Sequence, residues 1–560
     1  MALRPRKLLV ALGVGLALAD ASVVTLALPE LIIELDTTVE GVAAVLGVYT
    51  LVLAAALIPA ERLRRRVGST RLGLWSFLAF AAAGAGCGVV DSLAPLLVLR
   101  GLQALGAAAG LVCGFALLTA GERDRERLWT AAAVLGAAAG PALGGLLTEL
   151  FDWRAIFLVQ APIGALAAVA FLDRGPAPTP LGSRNGAPES MRPPRHRLEL
   201  GPAIALALVS AALSAVLFLL VLLLVSGWSI SPLAAALAVS ILPAAALAGI
   251  RIPGDARSRA IAGCGLVGAG VLGLAFPGSA SVAWTVVPQL LAGVGMGLAL
   301  TSLIGRLLPE ETPGQTALLL AIRHAGITLA LLILAPITAA QIDDAVSDTR
   351  ERGAALVLDA ELEPLDKIEL ANAVTGELDP VDPRGTLNES LEASAASVGD
   401  DPEGEAVYAD LARRADDTLV SGIDEAFAPA FLVSGALALL AALAVLIHRG
   451  SRGLGASLAI VGAALAICAV QAALAISARP EPVTIADPCE DRDLPGTGGI
   501  GGLVQDAALV GLDRAACEFG SSREELAIAL VDDDAAERYE AEHDVDPRAI
   551  DELARRALGF

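Results

Sequence analysis

Thirteen apolar stretches run along the chain and are separated by polar segments. Each stretch has about the ~20 residues that an α-helix needs to cross a hydrocarbon core ~30 Å thick. The first is also too long for the apolar region of a signal peptide, so we expect it to remain as a membrane anchor. The predicted spans lie near residues 7–29, 41–60, 72–90, 94–119, 129–150, 155–173, 202–226, 231–250, 259–277, 283–305, 315–340, 427–448 and 454–477. The pattern predicts an all-α polytopic membrane protein.

The polar segments divide these spans into units. We expect two six-helix bundles, at residues 1–173 and 199–448, joined by a cytoplasmic linker at 174–198 that is rich in Pro, Gly and Arg. A long acidic loop at 341–425 interrupts the last two spans of the second bundle. Apolar residues recur in it at helical spacing, which predicts short surface helices. One additional span, within 449–478, follows the second bundle.

Composition and charge agree with a membrane protein. Hydrophobic residues make up 55% of the 560 positions, and the mean hydropathy is +0.68, values that do not fit a large soluble enzyme. Lys and Arg concentrate on alternate loops, which the positive-inside rule places in the cytoplasm. The N-terminus is therefore predicted to be cytoplasmic, and an odd number of spans places the C-terminus outside. We expect a multi-pass protein of the cell membrane.

The net charge of -22 is concentrated in two segments. The loop at 341–425 carries 23 Asp and Glu against 6 Lys and Arg, and residues 479–560 carry 20 against 8. Both segments lie outside the cell in the predicted topology, where their acidity would keep them solvated. Nucleic-acid binding needs a basic face and is not expected.

The segment at 479–560 is predicted to form a small extracytoplasmic helical domain. Ser522 and Glu525 have the spacing of a capping box, which marks the start of a helix. Cys489 and Cys517 are the cysteines outside the predicted spans, and an oxidising compartment would favour a disulfide between them, with two free thiols as the alternative. The sequence has no metal-binding cluster of His and Cys, and we expect no metal or cofactor.

Four segments in the first bundle carry a family resemblance. They read LADASVVTLALP, LVLRGLQALGAA, LGAAAGPALGGLLTEL and WRAIFLVQAPIG, in that order. Together they resemble the major facilitator superfamily, and within it the drug:proton antiporters that are usually built with fourteen spans. The resemblance implies two six-helix bundles of major facilitator type. The linker is too polar to supply the two extra spans, so the chain departs from that branch in span count.

The third of these segments resembles the antiporter motif of the family. Its small residues leave one helix face without bulky side chains, which lets a neighbouring helix approach closely. Its proline locally interrupts the backbone hydrogen bonds of the helix. The residues concerned are Gly136, Gly140, Pro141, Gly144 and Gly145. A generic glycine-rich helix interface is the alternative.

Polar residues within the spans are candidates for coupling and for the substrate cavity. Asp20 occupies the family's acidic position, and a carboxylate inside a span is costly unless it faces a cavity or a partner. Arg100 and Gln103 match the fourth-span pattern that the family associates with proton coupling. The alternatives are a structural ion pair for Asp20 and a snorkelling role for Arg100. Arg323 and His324 are weaker candidates.

The loop between the second and third spans departs from the family pattern. The superfamily normally places an acidic residue there as one side of a charge-based latch, whereas this chain has Arg65 at that position. Glu61, Arg66 and Gly68 remain as the candidate gating residues, with Glu61 as the replacement acid.

The resemblance implies a secondary active transporter that exports small or drug-like molecules in exchange for protons by alternating access. Its partners would be the substrate, protons and the lipid bilayer. No catalytic constellation is present, so an enzyme is not expected. The alternative is a transporter-like scaffold or sensor whose acidic segments bind a protein outside the cell.

Overall fold

All regular structure in the described residues is helical. The structure, a computed structural model, describes residues 5–119, 126–172, 199–307, 312–362, 382–395, 402–447, 454–492 and 499–548, together with residues 367, 370, 371, 379, 494 and 495. The predicted linker at 174–198 lies outside them.

Nineteen helices, α1 to α19, are described. Their bounds are Pro5–Thr25, Leu28–Glu34, Val39–Val67, Ser69–Cys87, Leu93–Leu118, Glu126–Leu150, Trp153–Val169, Leu200–Leu222, Pro232–Val239, Ile241–Arg251, Ala256–Gly273, Ala283–Leu307, Pro313–Leu358, Pro383–Ala395, Pro402–Ile447, Leu454–Ala478, Gly499–Phe519, Arg523–Val531 and Asp533–His543. A π-helical turn, Leu223–Gly227, continues α8.

Nine helical segments of the described chain are long and apolar enough to cross a membrane. They coincide with nine of the predicted spans, and the other four predicted spans coincide with α4, α6, α7 and α11. The all-α membrane class predicted from the apolar pattern is therefore confirmed. One predicted span, 231–250, consists of two helices, α9 and α10, which meet at Ser240.

Local sequence signals account for several helix starts. Thr312 caps α13, since its side chain accepts a hydrogen bond from the Gln315 backbone amide and its own backbone amide donates one to the Gln315 side-chain oxygen. Asp152 caps α7 by accepting from the amide of Ala155 at 3.0 Å. Such caps satisfy amide groups that have no partner within the helix.

The helices pack in two groups. Helices α1 to α7 contact one another, and so do α8 to α13 together with α15 and α16. Two seams join the groups, with α3 against α13 and α6 against α9. A continuous hydrophobic core crosses these seams, and Trp153 and Trp228 are among its fully buried side chains.

The acidic segment at 341–425 differs from the loop with short surface helices predicted for it. Helix α13 continues without a break to Leu358, and α15 begins at Pro402 and runs on into the apolar segment. Each has 46 residues, about 69 Å at ~1.5 Å per residue, more than twice the hydrocarbon thickness. Pro336 and Pro429 lie inside these helices close to the apolar boundaries, yet neither proline ends its helix. Charged pairs such as Asp348 with Arg352 support the extension.

These two extensions, α14 and the segment 479–548 form what we call the projecting domain. One of its cores gathers Leu356, Leu387, Leu391, Tyr408 and Leu411. A second, within the segment 479–548, includes Ala516, Leu526 and Tyr539.

Ion pairs hold the segment 479–548 to the rest of the projecting domain, and a disulfide closes a loop within that segment. Arg523 Nη2 lies 2.6 Å from Asp359 Oδ1, and the neighbouring carboxylates raise the pKa of Arg523 although burial alone would lower it. Arg350 donates to Asp532 at 2.5 Å and lowers the pKa of that carboxyl. Cys489 is bonded to Cys517, so the structure contains the disulfide considered in the sequence.

Candidate functional site

A buried ion pair lies inside the first helix group. Arg100 Nη2 on α5 is 2.7 Å from Asp20 Oδ2 on α1, and both side chains are fully buried. Neither oxygen of Asp20 has a hydrogen bond of good geometry within the described part of the chain. Charge therefore holds the pair, and the carboxylate keeps acceptor capacity that a proton could use.

The guanidinium of Arg100 has further partners. It donates from Nη1 to Gln103 Oε1 at 2.8 Å and from Nε to the carbonyl of Val45 at 3.3 Å. Its Cζ lies 4.4 Å from the ring centroid of Tyr49, close enough for a cation–π contact. Tyr49 in turn donates to the carbonyl of Ala17 on α1. These contacts hold the arginine in one position and link it to α1 and α3.

Gln160 extends this network and was missed in the sequence analysis. Gln103 Nε2 donates to Gln160 Oε1 at 2.9 Å, and both side chains are buried. The available signal was a single side-chain amide in the apolar run that follows Arg154 in WRAIFLVQAPIG. Buried polar groups in a membrane helix require partners, so this glutamine could have been paired with Gln103 in advance.

A central cavity of about 100 Å³ lies between the two helix groups. Its walls include Ser22 on α1 and Thr50 on α3 from one group, and Ser210 on α8 from the other. Asp20, Arg100 and Gln103 do not line it. Asp20 faces α5, whereas Ala21, Ser22 and Thr25 on the same helix face the cavity, so the predicted coupling residues lie behind its wall.

Arg323 and His324, the weaker candidates in the sequence, do line this cavity. The Nε atom of Arg323 is buried and has no hydrogen-bond partner among the described residues. His324 Nδ1 lies 2.8 Å from the carbonyl of Leu320, which engages one ring nitrogen within its own helix. The cavity therefore presents one guanidinium in mostly apolar surroundings.

Three glycines of the predicted antiporter motif face α1. A Cβ on Gly136 would collide with the carbonyl of Gly15, one on Gly140 with the Ser22 side chain, and one on Gly144 with the carbonyl of Val23. The absence of side chains thus permits close backbone contact between α6 and α1.

The remaining two motif residues face the second helix group. A Cβ on Gly145 would lie 2.7 Å from the carbonyl of Pro232, at the start of α9. Pro141 lines the central cavity. Helix α6 therefore has α1 on one side and the second helix group on another, so its glycines set the spacing of a seam between the groups.

Glu61 is bonded within its own helix. It is only 4% exposed and accepts hydrogen bonds from Arg64 at 2.7 Å and from Arg65 at 2.8 Å. Arg65 Nη2 also lies 3.0 Å from the place that a Cβ on Gly314 would occupy, at the start of α13. Arg65, which replaces the expected acid, thus touches the second helix group with Glu61 as its counter-ion.

The other two predicted gating residues, Arg66 and Gly68, are exposed. Gly68 has a φ of +92°, a backbone conformation that disfavours L side chains, and it connects α3 to α4. Arg66 forms no ion pair within the described ranges. The gating role of these residues stays a prediction.

One group of metal-ligand type occurs in the described chain, at Glu525, Glu542 and His543. Within this group, His543 Nε2 lies 3.0 Å from Glu525 Oε1.

Comparison with known proteins places the fold and site in a family. The chain matches the model of the Major Facilitator Superfamily over residues 10–341, more than half of its length. The chain therefore belongs to this superfamily, as its sequence motifs predicted. The family and the relatives below are transporters and not enzymes.

Two curated relatives are drug-resistance proteins. The chain is 37% identical over 166 residues to the multidrug resistance protein Stp of Mycobacterium tuberculosis, covering 28% of this chain and 31% of Stp. It is 31% identical over 244 residues to the methylenomycin A resistance protein of Streptomyces coelicolor, covering 42% and 48%. The matched segments thus span less than half the length of these relatives.

A solved structure supports the fold. The inward-facing, occupied form of a bacterial homologue of the human lysosomal transporter Spinster superposes with a TM-score of 0.52 at 16% identity. The match covers 81% of this chain and all of that one. At this identity the likeness concerns the fold alone. The chain is thus a multi-pass membrane protein of the Major Facilitator Superfamily, and its relatives include proteins named for drug resistance and drug efflux.

Proposed function

We propose that this protein exports small, drug-like molecules in exchange for protons by alternating access. The observation that supports it most directly is the Asp20–Arg100 pair, a carboxylate and a guanidinium buried together inside the first helix group. Ionisable groups in a membrane interior are costly and usually functional. Resemblance to resistance proteins supports an exported, drug-like substrate.

In this mechanism protonation of Asp20 alters the packing of α1. A proton on the carboxylate removes the counter-charge of Arg100, and an uncompensated buried charge is strongly unfavourable. Because Ser22 and Thr25 on α1 line the central cavity, a shift of this helix would change the cavity as well. Proton and substrate would then influence each other without sharing one site.

We also propose the topology given by the basic loops, with a cytoplasmic N-terminus and an extracytoplasmic C-terminus in the cell membrane. The projecting domain then faces the outside, in keeping with its acidity and its disulfide. The predicted extracytoplasmic protein partner has no support from the comparisons, which favour transport over the scaffold or sensor reading.

The test uses cells that lack their own efflux pumps and are loaded with ethidium, fluorescein or a panel of antibiotics. We expect the wild-type protein to lower the accumulation of some of these compounds, and a protonophore to abolish the effect. Asp20→Asn should remove the protonophore-sensitive efflux at an unchanged level of protein in the membrane. Asp36→Asn is the matched control, because Asp36 is exposed and Asn tolerates its φ of +45°.

Two outcomes would contradict the proposal. Protonophore-sensitive efflux that persists at wild-type level in Asp20→Asn would remove Asp20 from coupling. If cells that express the wild-type protein accumulate every compound to the same level as cells without it, the scaffold or sensor alternative is favoured.

A further inference from the structure

A second and larger cavity lies beneath the projecting domain, separate from the central one. Its volume is about 400 Å³, within the range of small-molecule sites. Both helix groups contribute to its walls, with Ile32 and Val39 from the first and Leu222 and Phe427 from the second. Further aliphatic side chains in the wall are those of Ile342, Ala345, Leu419, Ile423 and Ala426. The cavity is thus an apolar space between the ends of the two groups.

The charged residues at this cavity have a single sign. Arg350 on α13 and Arg538 on α19 both line it, and no carboxylate does so among the described residues. This is unexpected in its surroundings, since 341–425 carries 23 acidic residues against 6 basic ones and 479–560 carries 20 against 8. Charged residues drawn at random from these two segments would be mostly carboxylates.

The two guanidiniums differ in their partners. Arg350 is paired with Asp532. Arg538 forms no ion pair within the described chain, and its hydrogen bonds go to the hydroxyl of Ser347 and the carbonyl of Asp534, both at 3.3 Å. Arg538 therefore adds to this end of the cavity a positive charge that no carboxylate among the described residues balances through an ion pair.

The apolar wall also contains a polar irregularity. The π-helical turn at the end of α8 brings Ser226 and Gly227 to the cavity. The hydroxyl of Ser226 is buried and has no hydrogen-bond partner in the described part of the chain. Unpaired buried hydroxyls are uncommon, and π-helical turns occur frequently at functional sites.

From these observations we infer that the cavity binds a small anionic amphiphile, with its hydrocarbon chain between the two helix groups and its anionic head against Arg538 and Arg350. A carboxylate or phosphate head can accept charge-assisted hydrogen bonds from both guanidiniums. A neutral or cationic amphiphile would bury the same apolar area, but it would offer no negative charge to Arg538. The site requires neither transport nor a particular orientation in the membrane.

The same chemistry could come from a free fatty-acid anion or from an anionic lipid of the bilayer. Both would present an alkyl chain and a negative head to the cavity. The lining residues Ile32, Val39 and Leu222 lie near the ends of α2, α3 and α8.

The experiment labels the full-length protein in nanodiscs of phosphatidylcholine with a dodecanoate that carries a diazirine at its chain end. Peptide mapping should locate the label within 342–350 or 419–427, the α13 and α15 segments of the cavity wall. The trimethylammonium analogue of equal chain length should not label these peptides. Inclusion of phosphatidylglycerol in the nanodiscs separates the two sources, because it competes with the probe only if a membrane lipid can occupy the site.

Two variants test the inferred contacts. Arg538→Gln should raise the half-saturating concentration about tenfold, the loss expected for one charge-assisted hydrogen bond. Its side chain is exposed, so the fold should tolerate the change. Ala426→Trp should fill the cavity and abolish labelling of these peptides. Arg413→Gln is the control, since Arg413 is an exposed arginine of the same domain that does not line the cavity.

The inference is supported if only the anionic probe labels the cavity peptides. This labelling should also be weaker in Arg538→Gln and unchanged in Arg413→Gln. Equal labelling by the cationic analogue, or labelling that Arg538→Gln leaves unchanged, would overturn it. Loss of dye efflux in the separate cell assay would not bear on this result, because binding is measured without transport.

Discussion

Thr50 and Thr328 join the two helix groups through their hydroxyls, whose oxygens lie 2.9 Å apart. Thr50 is on α3 and Thr328 on α13, 278 positions apart in the sequence, and both are buried. This hydrogen bond crosses the seam that alternating access would have to open. Its strength therefore bears on how firmly the groups hold together in the arrangement seen here.

We expect Thr50→Val and Thr328→Val to be coupled. A buried hydrogen bond contributes about 1 kcal/mol net, so a double-mutant cycle on the free energy of unfolding should give a coupling of about that size. Thr338→Val combined with Thr50→Val is the control, because Thr338 lies further along α13 and its hydroxyl donates to the carbonyl of Leu334 in its own helix. Additive effects in the first pair would show that the contact carries no energy.

Substitution of the motif glycines should abolish transport. Gly140→Leu and Gly144→Leu would force α6 away from α1, because the space of their side chains is already filled by Ser22 and by the carbonyl of Val23. The measurement is efflux from cells in which membrane levels of the variants have been matched. Gly462→Leu on α16 is the control, since a Cβ there meets no atom within 4 Å. Wild-type efflux from both α6 variants would contradict the packing role.

Reduction of the disulfide should loosen the projecting domain. The bond between Cys489 and Cys517 closes a loop across 28 positions, and bonds of this kind typically contribute ~2–4 kcal/mol. A membrane-impermeant maleimide applied to intact cells should label neither cysteine before reduction and both afterwards. The other four cysteines are buried and should stay unlabelled.

Two results of that labelling would count against our view. Labelling without reductant would show free thiols, the alternative left open by the sequence. Protection of the segment 479–560 from protease in intact spheroplasts would contradict the thirteen-span topology.

Arg523 should be needed to dock the end of the chain. It is 1% exposed and lies between Asp359 and Glu524, so Arg523→Ala would leave the buried Glu524 without one of its partners. Removal of one member of a buried ion pair costs about 3–5 kcal/mol. We expect faster proteolytic cleavage after residue 478 in this variant. Arg514→Ala, at an exposed position of α17, should be cleaved at the wild-type rate.

Much of the fold could be predicted from the sequence because its determinants are local. A run of ~20 apolar residues must satisfy its own backbone groups in lipid, and a helix does this within one segment. The cap at Ser522 follows in the same way, since its hydroxyl accepts from the amide of Glu525 three residues on. The pairing of Asp20 with Arg100 could also be anticipated, because a buried carboxylate requires a counter-charge at a similar depth.

Tertiary structure alone decided which faces of these helices meet. Depth along a helix places Asp20 beside Arg100, but only packing shows that both lie behind the cavity wall and that Arg323 lines it. The extension of α13 and α15 beyond the apolar segments depends on support from the projecting domain, where partners such as Arg523 and Asp359 are 164 positions apart. The cavity with Arg350 and Arg538 likewise joins residues distant in the chain. Hydrophobic periodicity specifies a helix and its apolar face, whereas contacts of this kind arise only when several helices pack together.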